Sequence, residues 1–538
     1  MASPQTKQKK QIATVLRKVF GMERLRDGQR LVIESVLAGQ DTLAVMPTGS
    51  GKSLCYQLPA CLLEGATVVV SPLISLMKDQ AEKLEEQGIA SAAQMNSTLS
   101  RSDEAAAVEA IERADTDIIF CTPERLVTPD FLALLKQNKI ALVVIDEAHC
   151  ISHWGHDFRP AYLEIGAALD ALGKPPLLAL TATATDEVIA DIRSQLGRPR
   201  MAVVNTGIYR PNLHYRVKQV TNPDEKYAAA LQLVRDTEGV GIIYAATVKA
   251  AEEVHRLLLD AGESVTLYHG KLKAAERSEN QNLFMSGERR VMVATNAFGM
   301  GIDKSDTRFV IHLQVPANLE AYYQESGRAG RDGLDAECTL LYYHADKRLQ
   351  QYFLTKHYPS ADEVQAVYQA AAALGQPSFT EAELKSLLER TPASQLKICL
   401  KMLKDGKLLK RDRKLAYALA SGEPKRERFE RMAQVYVDKH ERDRDGLEQM
   451  VSYAQSGYCR WKLLLDYFGD KPEGFEHCCK CDNCLSPPSI QDSPEQLEIT
   501  PAPELALDLD RADGYTQTPA VPPAAAMHSI SPSPAGFR

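Results

Sequence analysis

Between Asp41 and Leu196 five short apolar runs, Thr42–Val45, Thr67–Val70, Ile118–Cys121, Ala141–Ile145 and Leu177–Leu180, are separated by stretches of helical periodicity such as Leu73–Gln87. Runs of this length that are apolar on nearly every residue read as strands buried on both faces, and the intervening helices are what buries them. The pattern therefore predicts a parallel sheet covered by helices. After Tyr209-Arg210-Pro211-Asn212 it starts again, with runs at Val240–Tyr244, Val265–Tyr268, Val291–Ala294 and Phe309–Leu313. Two consecutive α/β domains of similar build are expected. Their motifs differ, so neither belongs to a short-period repeat array.

Pro47-Thr48-Gly49-Ser50-Gly51-Lys52-Ser53 follows the first apolar run and opens the helical stretch Leu54–Leu63, the strand–loop–helix setting of a phosphate-binding loop. Around Thr48, Gly49 and Gly51 allow backbone N–H groups to approach an anion, and the helix start adds partial positive charge. Lys52 is placed to meet the β and γ phosphates of ATP and Ser53 to hold Mg²⁺. Met46 stands where the general motif has its first glycine. The run Val143–Ile145 then ends on two carboxylates. Asp146 is expected to position Mg²⁺ and Glu147 to polarise the attacking water. In the second half Arg328 and Arg331 lie three residues apart. On a helix they would share a face from which guanidinium groups reach a γ phosphate held by the first domain.

The formal net charge of -8 is unevenly spread. Lys397 to Arg428 carries eleven Lys or Arg against four Asp or Glu, a local basic face suited to phosphates. Ser486 to Arg538 holds ten of the 28 prolines and seven acidic residues against two arginines, the composition of a disordered acidic tail. Five of the eleven cysteines fall between Cys459 and Cys484, a clustering that suggests a metal rather than disulfides. Cys478, Cys481 and Cys484 have C-x-x-C-x-x-C spacing, and with Cys459 they supply four thiolates for a closed, structural Zn²⁺ site. Cys479 is out of register, and on spacing alone its exchange with Cys478 stays open.

These motifs resemble those of the superfamily 2 helicases, and more closely those of the RecQ DNA helicases. The resemblance is carried by Met46–Gln57 (MPTGSGKSLCYQ), Ser71–Gln80 (SPLISLMKDQ), Asp146–Pro160 (DEAHCISHWGHDFRP), Thr181–Thr185 (TATAT), Ala297–Lys304 (AFGMGIDK) and Tyr323–Gly333 (YQESGRAGRDG). It implies two RecA-like domains that clamp ATP and Mg²⁺ between them. It places His149 in the catalytic machinery and Asp303 among the nucleotide contacts, and makes the loop with Trp154, Phe158 and Arg159 a sensor of single-stranded DNA. Those side chains suit the task, two π faces for bases and one cation for phosphate. Arg26-Asp27-Gly28-Gln29 resembles the adenine-reading motif, with Leu25 where the family usually has Phe and Asp27 where it often has Pro. Tyr209–Asn212 resembles the hinge between motor domains, and Thr181–Thr183 the segment coupling hydrolysis to DNA movement. Cys459 to Cys484 resembles the family's zinc module.

The order of parts departs from the family's. About 110 residues separate the motor from Cys459. Within them, helices at Ala361–Leu374, Glu381–Arg390 and Ser394–Asp405 and a hairpin at Lys407–Leu419 follow the winged-helix order; a helical spacer is the competing reading. The expected organisation is residues 1–207 and 208–350 as motor domains, 351–424 as a winged-helix-like DNA-binding module, 425–485 as the zinc module and 486–538 as the tail. The implied activity is ATP-dependent 3′ to 5′ unwinding of duplex or branched DNA, with an RNA helicase or an ATP-switched DNA clamp as alternatives. No apolar run approaches the roughly 18–20 residues that span a bilayer. A cytosolic monomer is expected, on the nucleoid if bacterial, with DNA as partner and a protein partner for the tail.

Overall fold

The computed structural model of the protein describes residues 4–487, apart from 98, 153–158, 299–303, 357–358, 390, 412–415 and 421–423. Trp154, Phe158, Asp303, most of the turn after Arg411 and all of the tail beyond Pro487 lie outside the described residues.

The first sheet has seven strands: β1 (Thr42–Val45), β2 (Ala66–Val70), β3 (Ala92–Met95), β4 (Ile118–Cys121), β5 (Ile140–Ile145), β6 (Leu177–Thr181) and β7 (Ala202–Asn205). They are ordered β3-β4-β2-β5-β6-β1-β7, and every pairing is parallel. Alternate residues of one strand enter opposite cores: Val68, Val70, Val143 and Ile145 lie on one face, Val69, Leu142 and Val144 on the other. Both faces being covered explains the unbroken apolar runs. The carboxyl ends of β1, β5 and β6 lie side by side, where open α/β sheets bind ligands.

The second sheet repeats the plan with β8 (Leu213–Gln219), β9 (Val240–Tyr244), β10 (Val265–Tyr268), β11 (Val291–Ala294), β12 (Thr307–His312) and β13 (Ala336–Tyr342). Its order is β10-β11-β9-β12-β13-β8, again parallel throughout. Glycine is required at Gly241 in β9, where a Cβ would sit 2.0 Å from the Phe309 ring of β12. The helix Asp346–Lys356 is tied to this lobe by a buried ion pair, Lys226 Nζ lying 2.8 and 2.6 Å from the two Asp346 carboxylate oxygens.

A smaller body follows. Its helices are Ala361–Ala373, Glu381–Leu387 and Ala393–Asp405, and its hairpin pairs β14 (Leu409–Arg411) with β15 (Tyr417–Leu419). Ser360 with Glu363, and Thr380 with Glu383, form capping boxes that start the first two helices. Phe379, between those helices, bridges antiparallel to Tyr417. Val364, Leu384, Leu396, Leu400, Leu403 and Phe429 give the body a core of its own.

The 30-residue helix Arg426–Gln455 leads back to the second lobe. Leu447, Met450 and Tyr453 from its last turns, and Trp461 and Leu464 from the helix Arg460–Tyr467, join one core with Tyr215, Tyr322 and Val310 of the second lobe. Cys459–Cys484 is thus fused to the motor rather than suspended from it.

Candidate nucleotide and zinc sites

β1 delivers the phosphate loop, and the helix Leu54–Ala60 begins directly after Ser53. Gly49 and Gly51 both have φ of 79°, a left-handed conformation that favours glycine. Space requires it too: a Cβ at Gly51 would lie 2.5 Å from Gln29 Nε2, and one at Gly49 3.0 Å from Arg331 Cγ. Gln29 Nε2 donates to the carbonyls of Ser50 and Gly51 at 3.0 and 3.2 Å, its Oε1 accepts from the Arg26 N–H, and Arg26 Nη1 donates to the Gly49 carbonyl at 2.8 Å. The amide expected at an adenine edge is thus engaged with the loop backbone.

Lys52 Nζ donates to the Met46 carbonyl at 3.2 Å. Burial pushes its pKa down, Glu147 and Asp146 push it up, and Arg331 lowers it further. Gln80 Nε2 donates to Ser53 Oγ at 3.1 Å, and Tyr56 hydrogen-bonds Gln80 Oε1. A hydrogen-bond chain thus orients the hydroxyl expected to meet Mg²⁺. Asp146 directly follows β5, with Oδ2 accepting from Ser71 Oγ at 3.4 Å. Burial and neighbouring Glu147 raise its carboxyl to about 7, against the pull of Lys52. Such a group gains from a cation replacing its proton.

Glu147 sits at φ 49°, left-handed backbone of a kind that concentrates at functional sites in non-glycine residues. His149, buried, has Nδ1 3.4 Å from Glu147 Oε2 and 3.0 Å from Thr181 Oγ1, which donates to the Thr183 carbonyl at 2.9 Å. Glu147, just past β5, is thus linked to the end of β6 and the segment after it. On either side of residues 153–158, Ser152 Oγ donates to Asp191 Oδ2 at 2.7 Å and the Arg159 N–H to the Cys150 carbonyl at 3.0 Å.

Arg328 and Arg331 do not share a helical face. Their helix, Leu319–Ser326, ends at Gly327, and Gly330 reverses the chain at φ 56°. Gly327 keeps right-handed backbone at φ -63°, the N–H groups of Arg328 and Ala329 turn to the carbonyls three residues back, and left-handed Gly330 stands between the two arginines. Arg328 is buried beside Tyr244 inside the second lobe. Arg331 packs onto Gly49, and a Cβ at Gly327 would lie 3.2 Å from Thr48 Cβ. The two lobes therefore meet at the phosphate loop, with Arg331 the arginine placed there.

A cavity of about 300 Å³ opens between the lobes, lined by Arg26, Thr48, Gly49, Tyr209, Arg210 and Arg331 among others. The hinge segment is thus also a cavity wall, a role its motif did not signal. Arg210 also holds the arginine turn: Nη1 donates to the Gly327 carbonyl at 2.8 Å, and Nη2 to those of Ala329 and Gly330 at 2.8 and 2.6 Å.

The Sγ atoms of Cys459, Cys478, Cys481 and Cys484 all lie within 4.8 Å of one another. Four sulfurs at about 2.3 Å from a tetrahedral zinc stand roughly 3.8 Å apart, so the cage is the right size. The N–H groups of Cys478, Arg460 and Cys481 point at Cys459, Cys481 and Cys478 sulfurs at 3.2, 3.4 and 3.3 Å. Hydrogen bonds from Cys478 and Cys481 push the Cys459 thiol down, and the bond to Cys459 pushes Cys478 up. These donors fit Zn²⁺, which would cross-link the module. Cys479 is exposed and takes no part in the cage.

Residues 26–192 match the DEAD/DEAH box helicase family, 225–333 the helicase conserved C-terminal domain and 424–485 the RecQ zinc-binding domain. A solved structure of Mycobacterium smegmatis helicase Lhr bound to ssDNA and AMP-PNP shares the fold, with TM-score 0.53 at 18% identity over 82% of this chain and 61% of that one. The paired sheets with a phosphate loop at their junction define a two-lobed helicase motor. The ATP-dependent DNA helicase RecQ of Synechocystis sp. is 34% identical over 488 residues, 87% of this chain and 97% of its own length. The chain belongs to the RecQ helicase family. The RecQ of Bacillus subtilis is 46% identical over 346 residues, and the match spans 63% of this chain but only 58% of that protein.

Proposed function

We propose that the chain is an ATP-dependent DNA helicase that translocates 3′ to 5′ on single-stranded DNA and unwinds duplex or branched DNA in recombination, repair or replication. The observation that carries this is the meeting of the lobes, where Arg331 of the second lies against Gly49 of the first. ATP binds across that junction. Gly49, Gly51 and Lys52 take its phosphates, while Arg26 and Gln29 fix the loop on the adenine side. Ser53 and Asp146 hold Mg²⁺, Glu147 polarises the attacking water, and Arg331 stabilises the charge that develops on the γ phosphate. Arg328 and Asp303 complete the second lobe's contribution. His149 relays the state of Glu147 to Thr181–Thr183, and the loop of Trp154, Phe158 and Arg159 stacks on and senses single-stranded DNA.

Residues 1–207 and 208–350 act as the motor domains, and residues 425–485 as the zinc module. The body at 351–424 serves as a winged helix placed ahead of that module. Supporting this are its helix–bridge–helix–helix–hairpin order and the exposed Lys397, Lys401 and Lys404 along one face of Ala393–Asp405. Three cations at that spacing suit duplex phosphates. We infer a monomer working on DNA in the cytoplasm, at the nucleoid in a bacterium, with the acidic tail of 486–538 engaging a protein. Among the described residues no helix is long and apolar enough to cross a membrane.

The test is ATP hydrolysis with no nucleic acid, single-stranded DNA or RNA, beside unwinding of forks and of duplexes with 3′ or 5′ tails. Stimulation by DNA and unwinding from 3′ tails are expected. Preferential stimulation by RNA would make it an RNA helicase, and DNA-stimulated hydrolysis without unwinding an ATP-switched clamp.

A further inference from the structure

The segment Gly207–Leu213, which joins the sheets and walls the nucleotide cavity, is held from behind by the zinc module. Thr206 still belongs to the first lobe, its N–H donating to the Val45 carbonyl of β1 at 3.0 Å. From Ile208 onward the anchors change. The Ile208 N–H donates to Asp470 Oδ2 at 2.7 Å, and its carbonyl accepts from the Tyr323 hydroxyl at 2.7 Å. The Tyr209 ring meets Trp461 and Phe475 edge-on, with centroids 5.0 and 4.9 Å apart. The Pro211 and Leu213 carbonyls accept from Lys480 Nζ and the Trp461 indole at 3.2 and 3.0 Å.

Between the two sets of anchors stands Gly207, at φ 75°. A Cβ there would lie 2.7 Å from Asp470 Oδ2, so the backbone conformation and the approach of the carboxylate both call for glycine. Asp470 is itself fixed: Gly469 ends the helix Arg460–Tyr467 in a left-handed turn at φ 69°, and the Asp470 N–H donates to the Leu465 carbonyl at 2.9 Å. Ile208 is buried, and its N–H reaches the half-buried Asp470 as a polar link from the hinge backbone to the end of that helix.

We propose that Asp470 is a positioning residue for nucleotide binding: by accepting the Ile208 N–H it fixes the backbone from which Tyr209 and Arg210 wall the cavity, making the zinc module the rear support of the nucleotide site. This rests on reading that cavity as the ATP site. The first lobe and its phosphate loop then move against a unit made of hinge, arginine turn and zinc module, with Gly207 as the pivot. A charge-assisted hydrogen bond to a backbone amide is strong enough to hold such a boundary, and its loss is felt where the wall meets ligand.

The experiment titrates a fluorescent ADP analogue with Mg²⁺ into the zinc-loaded full chain, alongside zinc content and single-strand DNA affinity. Asp470→Ala is expected to weaken nucleotide binding about five- to tenfold, with zinc and DNA affinity retained. Asp470→Asn keeps an acceptor oxygen but not the charge, and should fall between the parent and Asp470→Ala, about two- to threefold weaker than the parent. Gly207→Ala, which leaves the zinc module chemically untouched, should weaken binding similarly, and adding Asp470→Ala should cost little more because both break one contact. Parental nucleotide affinity in zinc-retaining Asp470→Ala overturns the proposal, as does Asp470→Asn behaving like Asp470→Ala. Should Asp470→Ala lose zinc or fold poorly, Gly207→Ala decides, and parental affinity there overturns it. A parental chain that binds no nucleotide removes the ATP-site reading and this inference together, whereas tight parental binding unaffected by either substitution removes only this inference.

Discussion

Arg210→Lys isolates what the arginine turn contributes to catalysis, because it keeps a cation and removes only the fork. Arg210 is buried and donates to three carbonyls, those of Gly327, Ala329 and Gly330. A single ammonium standing where Nη2 does can still serve Ala329 and Gly330 but cannot also reach Gly327, so at least one carbonyl loses its donor. A hydrogen bond from a charged donor contributes about 1.5–3 kcal/mol, which is the energy placed on keeping the turn in register. The turn relaxes rather than bear that strain, and Arg331 moves with it, away from its packing on Gly49. A displacement of about 1 Å costs roughly 100-fold in rate, a comparable energy of about 2.7 kcal/mol. We expect kcat for ATP to fall about 100-fold, with nucleotide affinity falling by no more than the roughly five- to tenfold expected of a disturbed cavity wall, so that most of the loss marks an interaction made in the transition state. Steady-state and single-turnover hydrolysis at saturating single-stranded DNA measure it, and combining the change with Arg331→Ala should reduce the rate no further than Arg331→Ala alone. Turnover within about fivefold of the parent, or losses that multiply in the double variant, would refute the reasoning.

Lys52→Ala should abolish hydrolysis without unfolding the protein, and Glu147→Gln should bind ATP yet turn it over very slowly; parental turnover in either displaces the site. Gln80→Leu frees the Ser53 hydroxyl from its donor, so the Mg²⁺ concentration for half-maximal hydrolysis should rise about threefold or more, checked by Mg²⁺ titration at fixed ATP. Cys481→Ser should cost zinc and thermal stability while Cys479→Ser costs neither, as metal analysis and melting will register. Asp346→Ala leaves the Lys226 ammonium buried and should destabilise by about 3–5 kcal/mol in chemical denaturation, most of it recovered by adding Lys226→Met.

Much of the motor was legible because its central strands are buried on both faces: β1, β4, β9 and β11 occupy the residues their apolar runs mark, and so does the edge strand β10, which is less deeply buried. β3 (AAQM) and β7 (AVVN) were silent, since edge strands need not be apolar throughout. β8 (LHYRVKQ) alternates, burying Leu213 and Tyr215 while Arg216 reaches the Glu337 carboxylate of β13, so it carries no continuous run. The phosphate loop and the four-thiol cage were readable because their chemistry demands fixed residues at fixed short spacings. The shared helical face for Arg328 and Arg331 failed because the helix gives way to a tighter turn at Gly327 and left-handed Gly330 stands between the two arginines. The second task of Tyr209–Asn212 was hidden because Trp461 and Asp470, which meet it, lie about 250 residues away in sequence. Contacts of that range leave no local pattern.

The helix Arg426–Gln455 turns the zinc end of the protein into a lever. At 1.5 Å per residue its 30 residues extend about 45 Å, so a rotation of roughly 10° at the end packed on the second lobe sweeps the far end by about 8 Å. That exceeds two base-pair steps of duplex DNA at about 3.4 Å each. A rotation of that size in the second lobe would thus reach the lysines of Ala393–Asp405 as a stroke of about two steps, and shortening the helix by whole turns would shorten that stroke in proportion.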